Sequence, residues 1–209
     1  MMNEFHQNGI SILPINKISD LSKAAFDCGV KNINDFLRNK SLIDSQKHIT
    51  QTTVVMSDKT KEIISFFSLS IGSMETQIIN APENMNLFQE FERFAIENPE
   101  AEIYDPNLKK YYFPVIKLDF LAVNKKIQSE GIGTNTLKTI FQIVLSIKNF
   151  GVGFLGLRID ALYNAKDFYH DRIFRYIEID PDNVDGNYCP NTCPMLARVD
   201  EIEKLLPKI

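Results

Sequence analysis

Apolar residues along the chain fall in short runs whose period changes between polar turns. In the first third, "GISILPI" (9–15), "QTTVVMS" (51–57) and "EIISFFSLSIG" (62–72) are rich in β-branched and aromatic residues and predict strands. Ser57-Asp58-Lys59-Thr60-Lys61 supplies a polar hairpin turn between the last two. Between these strands the period becomes helical. "DLSKAAF" (20–26) predicts a short helix opened by Asp20, and "NINDFLRNKSLID" (32–44) a longer one capped by Asn32, with Ile33, Phe36, Leu37 and Leu42 on one face. The second half opens with a long strand, "FPVIKLDFLAV" (113–123). A helix over 132–150 follows, with a broad core face of Leu137, Ile140, Phe141, Val144, Leu145 and Ile147. "GFLGLRIDAL" (153–162) predicts the next strand and "NAKDFYHD" (164–171) a short helix. "RYIEI" (175–179) and "CPMLARV" (193–199) are expected to close the sheet as an antiparallel pair around the polar segment 180–192. The pattern is mixed α/β, with one strand–helix–strand unit in its second half.

The length of 209 residues suits a single domain with a sizeable core. Residues 75–112 break the alternation: Pro82, Pro99 and Pro106 interrupt an acidic stretch with one helical pattern at 86–98, on which Phe88, Phe91 and Ala95 share a face. This stretch reads as an insertion packed on the domain. No run approaches the roughly 18 apolar residues of a membrane span. The N-terminal residues lack a basic region followed by an apolar one. Cys28, Cys189 and Cys193 are an odd number without a disulfide framework, and a cytoplasmic protein is the expectation. Cys189 and Cys193 have no histidine near them in sequence, since His6, His48 and His170 are scattered, so no metal site is expected. Cys28 reads as a small buried hydrophobe.

The formal net charge of −4 is unevenly spread. Residues 75–108 carry one arginine against eight acidic residues, and residues 109–176 carry eleven Lys/Arg against five acidic ones. The basic block contains "QSEGIGT" (128–134), a glycine-containing turn between a predicted strand and a predicted helix. The first N–H groups of such a helix lack intrahelical acceptors and, with the helix dipole, favour an anion. Lys125 and Lys126 add positive potential, and Gly131 and Gly133 have no Cβ to keep a bulky phosphate away. Two other phosphate motifs fail. The string G-x-x-x-x-G-K-[ST] does not occur. G-x-G-x-x-G occurs at Gly151, Gly153 and Gly156, but there a helix precedes and a strand follows, the reverse of the dinucleotide order. Those glycines read as a helix C-cap and a tight turn.

"LAVNKKIQSEGIGTNTLKTI" resembles motif A of the GNAT-type acyl-CoA N-acyltransferases, [Q/R]-x-x-G-x-[G/A], with Gln128, Gly131 and Gly133 on the fixed positions. "IDALYNAKDFYHDRIF" is similar to the family's motif B, matched at Asn164, Phe168 and Tyr169. Ala165 comes earlier than in the commonest spacing, and Ile173-Phe174 stands where a glycine-aromatic turn is usual. The resemblance implies a mostly antiparallel mixed sheet, flanked by helices and splayed between strands 113–123 and 153–162. It implies acetyl-CoA as acyl donor, its pyrophosphate on the amides of Glu130, Gly131, Ile132, Gly133 and Thr134, with Gln128 and Ser129 also in the cofactor-binding turn. The pantetheine arm would lie along Leu121, Ala122 and Val123, whose N–H groups offer an oxyanion site. Asn164 and Phe168 would help hold the cofactor. Tyr169 falls where a phenol protonates the departing thiolate as general acid.

The first half resembles, more narrowly, the acetyltransferase toxins of bacterial toxin–antitoxin pairs. Phe26, Asp27, Cys28, Gly29, Asn34, Phe36 and Leu37 match their F-[DS]-C-G and L/I-N-x-[FW]-L pattern, and Thr53, Val54, Leu69, Gly72 and Ser73 match the strands that follow. Such toxins acetylate the amino group of aminoacyl-tRNA. The resemblance therefore implies that acceptor, a small antitoxin and a homodimer. Acidity argues the other way, because tRNA phosphates call for a basic face. A small cationic molecule or a protein lysine stays open as acceptor. An acyl-CoA sensor without transfer activity stays open as a non-enzymatic alternative.

Overall fold

The structure, a computed structural model, describes residues 5–7, 9–18, 26–77, 97, 104–105, 110–177 and 190–206. They fall into two compact units. One comprises residues 1–70 and 118–143, the other residues 71–117 and 144–209. Apart from Phe26 and Glu97, the helix expected at 20–26 and the helical pattern at 86–98 lie outside the described residues, as does most of segment 180–192, with Cys189.

The first unit is built on strands β1 (Phe5–Gln7), β2 (Ile10–Pro14), β3 (Gln51–Ser57), the start of β4 (Ile63–Gln77) and the end of β6 (Lys110–Val123), in that spatial order. β1, β2, β3 and β4 pair antiparallel in succession. The expected hairpin turn holds: Lys61 N–H bonds to the Ser57 carbonyl at 2.9 Å and Thr60 N–H to the Ser57 hydroxyl at 3.2 Å. The helix expected at 32–44 is two helices, α1 (Lys31–Asn39) and α2 (Ser41–Gln46). Lys40 leaves helical geometry at φ −121°, and the buried Ser41 hydroxyl takes the Leu37 carbonyl at 2.5 Å. Such local side-chain bonding competes with the helix ladder. Asn32 lies inside α1, whose capping position is Val30.

The core of this unit gathers Ile15, Phe26, Leu37, Val54, Ile63 and Phe66. Phe36 of α1 stacks on Phe120 of β6 at 3.9 Å between ring centres, and Phe26 meets Phe66 edge-on at 5.3 Å. Helix α3 (Ile132–Asn149) begins in this unit and turns Leu137, Ile140 and Phe141 inward. This is the face its 3.6-residue period predicts.

In the second unit β6 neighbours β7 (Gly156–Leu162), then β9 (Thr192–Arg198), then β8 (Arg175–Tyr176); β5 (Tyr104–Asp105) pairs with the start of β6. The expected antiparallel pairing of the last two strands is present, with Arg175 opposite Leu196. β9 also pairs along its whole length with β7, Gly156 opposite Arg198 through Leu162 opposite Thr192. The chain therefore enters the sheet between its two predecessors. Two further helices are short: α4 (Lys166–His170) and α5 (Val199–Leu205). The sequence pattern did not predict α5. Over seven residues it buries Ile202 completely, too little apolar periodicity to stand out.

Strand ends also differ. β4 runs on to Gln77 and β6 starts at Lys110, so both enter the acidic stretch. The glycines at 151–156 form the expected helix end, with Gly151 N–H bonded to the Lys148 carbonyl at 2.9 Å, and β7 starts only at Gly156. A Cβ on Gly156 would sit 2.2 Å from the Ala197 carbonyl oxygen. Gly156→Ala should therefore push β7 off β9 and cost about 2–3 kcal/mol in urea unfolding. A cost below about 0.5 kcal/mol would show that this strand contact is looser than described.

Candidate active site

β6 ends at Val123, and the next residue reorganises the backbone. Asn124 still donates its N–H to the Ile64 carbonyl at 2.9 Å, while its side-chain amide donates to the Ile63 carbonyl at 3.2 Å. Its side-chain oxygen accepts the Lys126 N–H at 3.2 Å, which starts a single 3-10 turn over Lys125–Ile127. Ser129 and Gly131 then take φ values of +67° and +79°. Two left-handed residues reverse the chain into α3. A Cβ on Gly131 would meet nothing within 4 Å, so its glycine answers to backbone conformation, and the turn faces open space.

The start of α3 is fixed. Asn135 N–H closes the first helical bond, on the Gly131 carbonyl at 3.1 Å, so the amides of Ile132 and Gly133 precede the helix ladder. Thr136 is buried; its hydroxyl bonds to the Ile132 carbonyl and to the buried Ser65 hydroxyl of β4, each at 2.9 Å. Leu121, Ala122 and Val123 form the end of β6, with Ala122 packed into the core. Gln128 through Thr134 make up the turn and the first residues of the helix.

The side-chain charges around this turn leave no net positive charge. Lys125 pairs with Asp27 at 2.7 Å and Lys126 with Glu62 at 3.2 Å, and Glu130 is an exposed third carboxylate. Two cations stand against three anions. The positive potential expected from Lys125 and Lys126 is thus not available as free charge, and anion binding here would rest on backbone amides and the helix dipole.

Asp27 belongs to the F-D-C-G turn. Its carboxyl accepts bonds from Lys125 Nζ, from Gly29 N–H at 2.8 Å and from the Asn34 side chain at 2.8 Å. These donors, Lys125 first, hold its pKa far below the usual carboxylate range. Cys28 is buried, its thiol 3.2 Å from the Asn34 side-chain oxygen, and burial pushes its pKa up. That is the environment of a packing cysteine rather than of a thiolate nucleophile.

Asn164, Phe168 and Tyr169 lie in the second unit. Asn164 is exposed in a 3-10 turn over Tyr163–Ala165. Phe168 carries the Arg172 guanidinium 4.1 Å from its ring centre. Tyr169 is 5% exposed, edge-on to Phe168 at 4.9 Å and to Phe174 at 5.4 Å. Burial raises its phenol pKa well above the ordinary value near 10. The phenol therefore keeps its proton throughout the neutral range. Arg172 and Phe174 both donate N–H groups to the Tyr169 carbonyl, at 2.8 and 3.3 Å. Ile173 between them has φ +69°. The turn for which the resemblance expects glycine is thus formed by a β-branched residue in the left-handed region.

Residue chemistry alone did not single out Asp27, Asn34 or the Gln128 side chain as parts of this assembly. The F-D-C-G and N-x-F-L matches marked the first two without a role.

No family model matches the chain. Its fold is nevertheless shared with solved structures of the GNAT fold: a mostly antiparallel sheet flanked by helices. The structural neighbours include the toxin acetyltransferases AtaT and KacT. A tyrosine-to-phenylalanine variant of KacT is 21% identical with a TM-score of 0.67, over 95% of this chain and 99% of that one. A variant of AtaT of the same kind, bound to the C-terminus of the antitoxin AtaR and to acetyl-CoA, is 16% identical with a TM-score of 0.64, over 95% and 98%. AtaT complexed with acetyl-methionyl-tRNAfMet is 17% identical with a TM-score of 0.65, over 94% and 98%.

A left-handed β-branched residue costs about 1–2 kcal/mol. Comparing Ile173→Gly with Ile173→Ala removes the same side-chain contacts and isolates that cost. The glycine variant should be the more stable by about 1 kcal/mol. In an ordinary backbone the alanine variant would win by about 0.5–1 kcal/mol instead.

Proposed function

We propose that the chain is an N-acetyltransferase that moves acetyl from acetyl-CoA to the amino group of aminoacyl-tRNA. The observation that carries this reading is the strand–turn–helix at residues 121–135, whose left-handed turn aims the start of α3 into open space. It lies within a fold whose neighbours include acetyl-CoA and acetyl-aminoacyl-tRNA complexes. The amides of Glu130 through Thr134 would hold the pyrophosphate, with Gln128 and Ser129 in the same turn, and the end of β6, Leu121 to Val123, the pantetheine. Asn164 and Phe168 are the further cofactor-binding residues of this reading. The complex of AtaT with the C-terminus of AtaR supports an antitoxin as protein partner.

In the reaction an unprotonated amine attacks the thioester carbonyl, the N–C bond forms and the oxygen takes the charge. Collapse of the tetrahedral intermediate breaks the C–S bond. Tyr169 supplies a proton to the departing coenzyme A thiolate, and solvent water takes one from the amide nitrogen. The raised phenol pKa suits a donor that must arrive protonated. A less acidic phenol is also a weaker proton source, so its service depends on contact with a thiolate.

Transfer of labelled acetyl to bulk aminoacyl-tRNA, set beside polyamines, aminoglycosides and lysine peptides, tests the acceptor. Label on aminoacyl-tRNA is expected. Label confined to small cations or lysine peptides would move the function to those amines. Coenzyme A binding without label anywhere would favour a sensor. Tyr169→Phe should lose about 10²–10⁴-fold in kcat, the usual share of a general acid, with coenzyme A affinity unchanged. Full turnover in that variant would remove Tyr169 from the mechanism.

The pH–rate profile offers a second check. Activity should rise as the acceptor amine loses its proton, near or below pH 8 for an α-amino group and near 10 for a lysine. Because burial raises the Tyr169 pKa, the acid form persists and no falling limb from it should occur below about pH 10. A falling limb near pH 8 that disappears in Tyr169→Phe would contradict this.

A further inference from the structure

The F-D-C-G turn and the glycine turn are fastened to each other within the first unit. Lys125 N–H donates to the Asp27 carbonyl at 2.7 Å, and Lys125 Nζ reaches the Asp27 carboxyl at 2.7 Å. The Gln128 side-chain amide donates to the Cys28 carbonyl at 3.1 Å and to the Val123 carbonyl at 3.0 Å. One glutamine thus ties together the end of β6, the F-D-C-G turn and the first residue of the glycine turn. Asp27 is held in turn by Gly29 and Asn34, and Asn34 accepts the Cys28 N–H at 3.0 Å. The Arg38 guanidinium donates to the Phe26 carbonyl at 2.8 Å, anchoring the turn to α1.

We infer that Asp27 is a positioning residue for the acyl donor: through Lys125 and alongside Gln128 it holds the 128–134 turn in its anion-binding shape before the donor arrives. The inference rests on the donor reading proposed above. Asp27 itself meets no donor atom, and Lys125 serves as a strut rather than as a phosphate ligand. The physical reason is conformational. Ser129 is a non-glycine residue in the left-handed region, and an untethered loop would relax away from that geometry. Ordering the loop in advance spares the donor that cost.

Asp27→Asn keeps the shape of the side chain but removes its charge and turns a donor toward the Lys125 ammonium. If the competent loop then falls to about one molecule in ten, the apparent Kd for coenzyme A rises about tenfold. S-acetylpantetheine, which lacks the pyrophosphate, should react with the variant as with the parent. Hydrogen exchange of the donor-free protein should quicken at the bonded amides of Lys125, Ile127 and Asn135, which flank the turn, and stay unchanged in β3. Lys125→Met, at an exposed side chain that folding should tolerate, should reproduce the loosening. It should add nothing once Asp27 is Asn.

Unchanged exchange at Lys125, Ile127 and Asn135 in both variants would overturn the inference. So would equal loss of activity with coenzyme A and pantetheine donors, since that marks a general structural role. Additive losses would overturn it too, because Lys125 would then act on the phosphates independently of Asp27. If the parent protein binds no coenzyme A, the donor reading fails and the inference with it. The exchange arm, read without donor, tells that failure from failure of the tether.

Discussion

The direction of α3 depends on how the chain leaves β6, and one buried side chain decides it. Asn124 uses both ends of its amide: the nitrogen continues the contact with β4, and the oxygen captures the next turn. A residue with only one of these functions would either prolong the strand or release the loop. The backbone then needs two left-handed residues to reverse, and the Thr136–Ser65 hydroxyl pair pins the helix that results. A buried polar chain of this kind is strong only when every member is satisfied, and the bonds named here satisfy each of these side chains. The helix start is therefore positioned by the sheet rather than by the loop's own preference.

Electrostatics around that helix start are quieter than composition suggests. The basic block at 109–176 contains the turn, yet its two nearest lysines are engaged by acids from residues far away in sequence. Any attraction for an anion then comes from peptide dipoles held in fixed orientation. Such dipoles need no reorganisation on binding. The second unit shows the complementary arrangement, an uncharged phenol kept protonated by burial among aromatic rings.

Much of this was legible in the sequence because it rests on periodicity and on turn chemistry. The strands at 51–57 and 113–123, the helix at 132–150 with its apolar face, and the glycine turn between them follow from local pattern. The decoy at Gly151, Gly153 and Gly156 was separable by element order. What was not legible depends on long-range partners. The break at Lys40 comes from the Ser41 hydroxyl and the Leu37 carbonyl within a buried corner, and β9 gains its second neighbour from sheet topology. The pairing of Asp27 with Lys125 joins residues almost a hundred positions apart, and no spacing rule reports it. Ile173 shows a different limit: the glycine expected at its position is absent, while the backbone shape that glycine would favour is present.

In the proposed reaction the start of α3 and the turn before it would bind the pyrophosphate of the acyl donor. The most direct measurement is a coenzyme A titration of ¹⁵N-labelled protein, with pantetheine titrated in parallel. The backbone amides of Gly131, Ile132 and Gly133 should shift most with coenzyme A and hardly at all with pantetheine. Large shifts confined to other segments, with residues 128–134 unmoved, would contradict it.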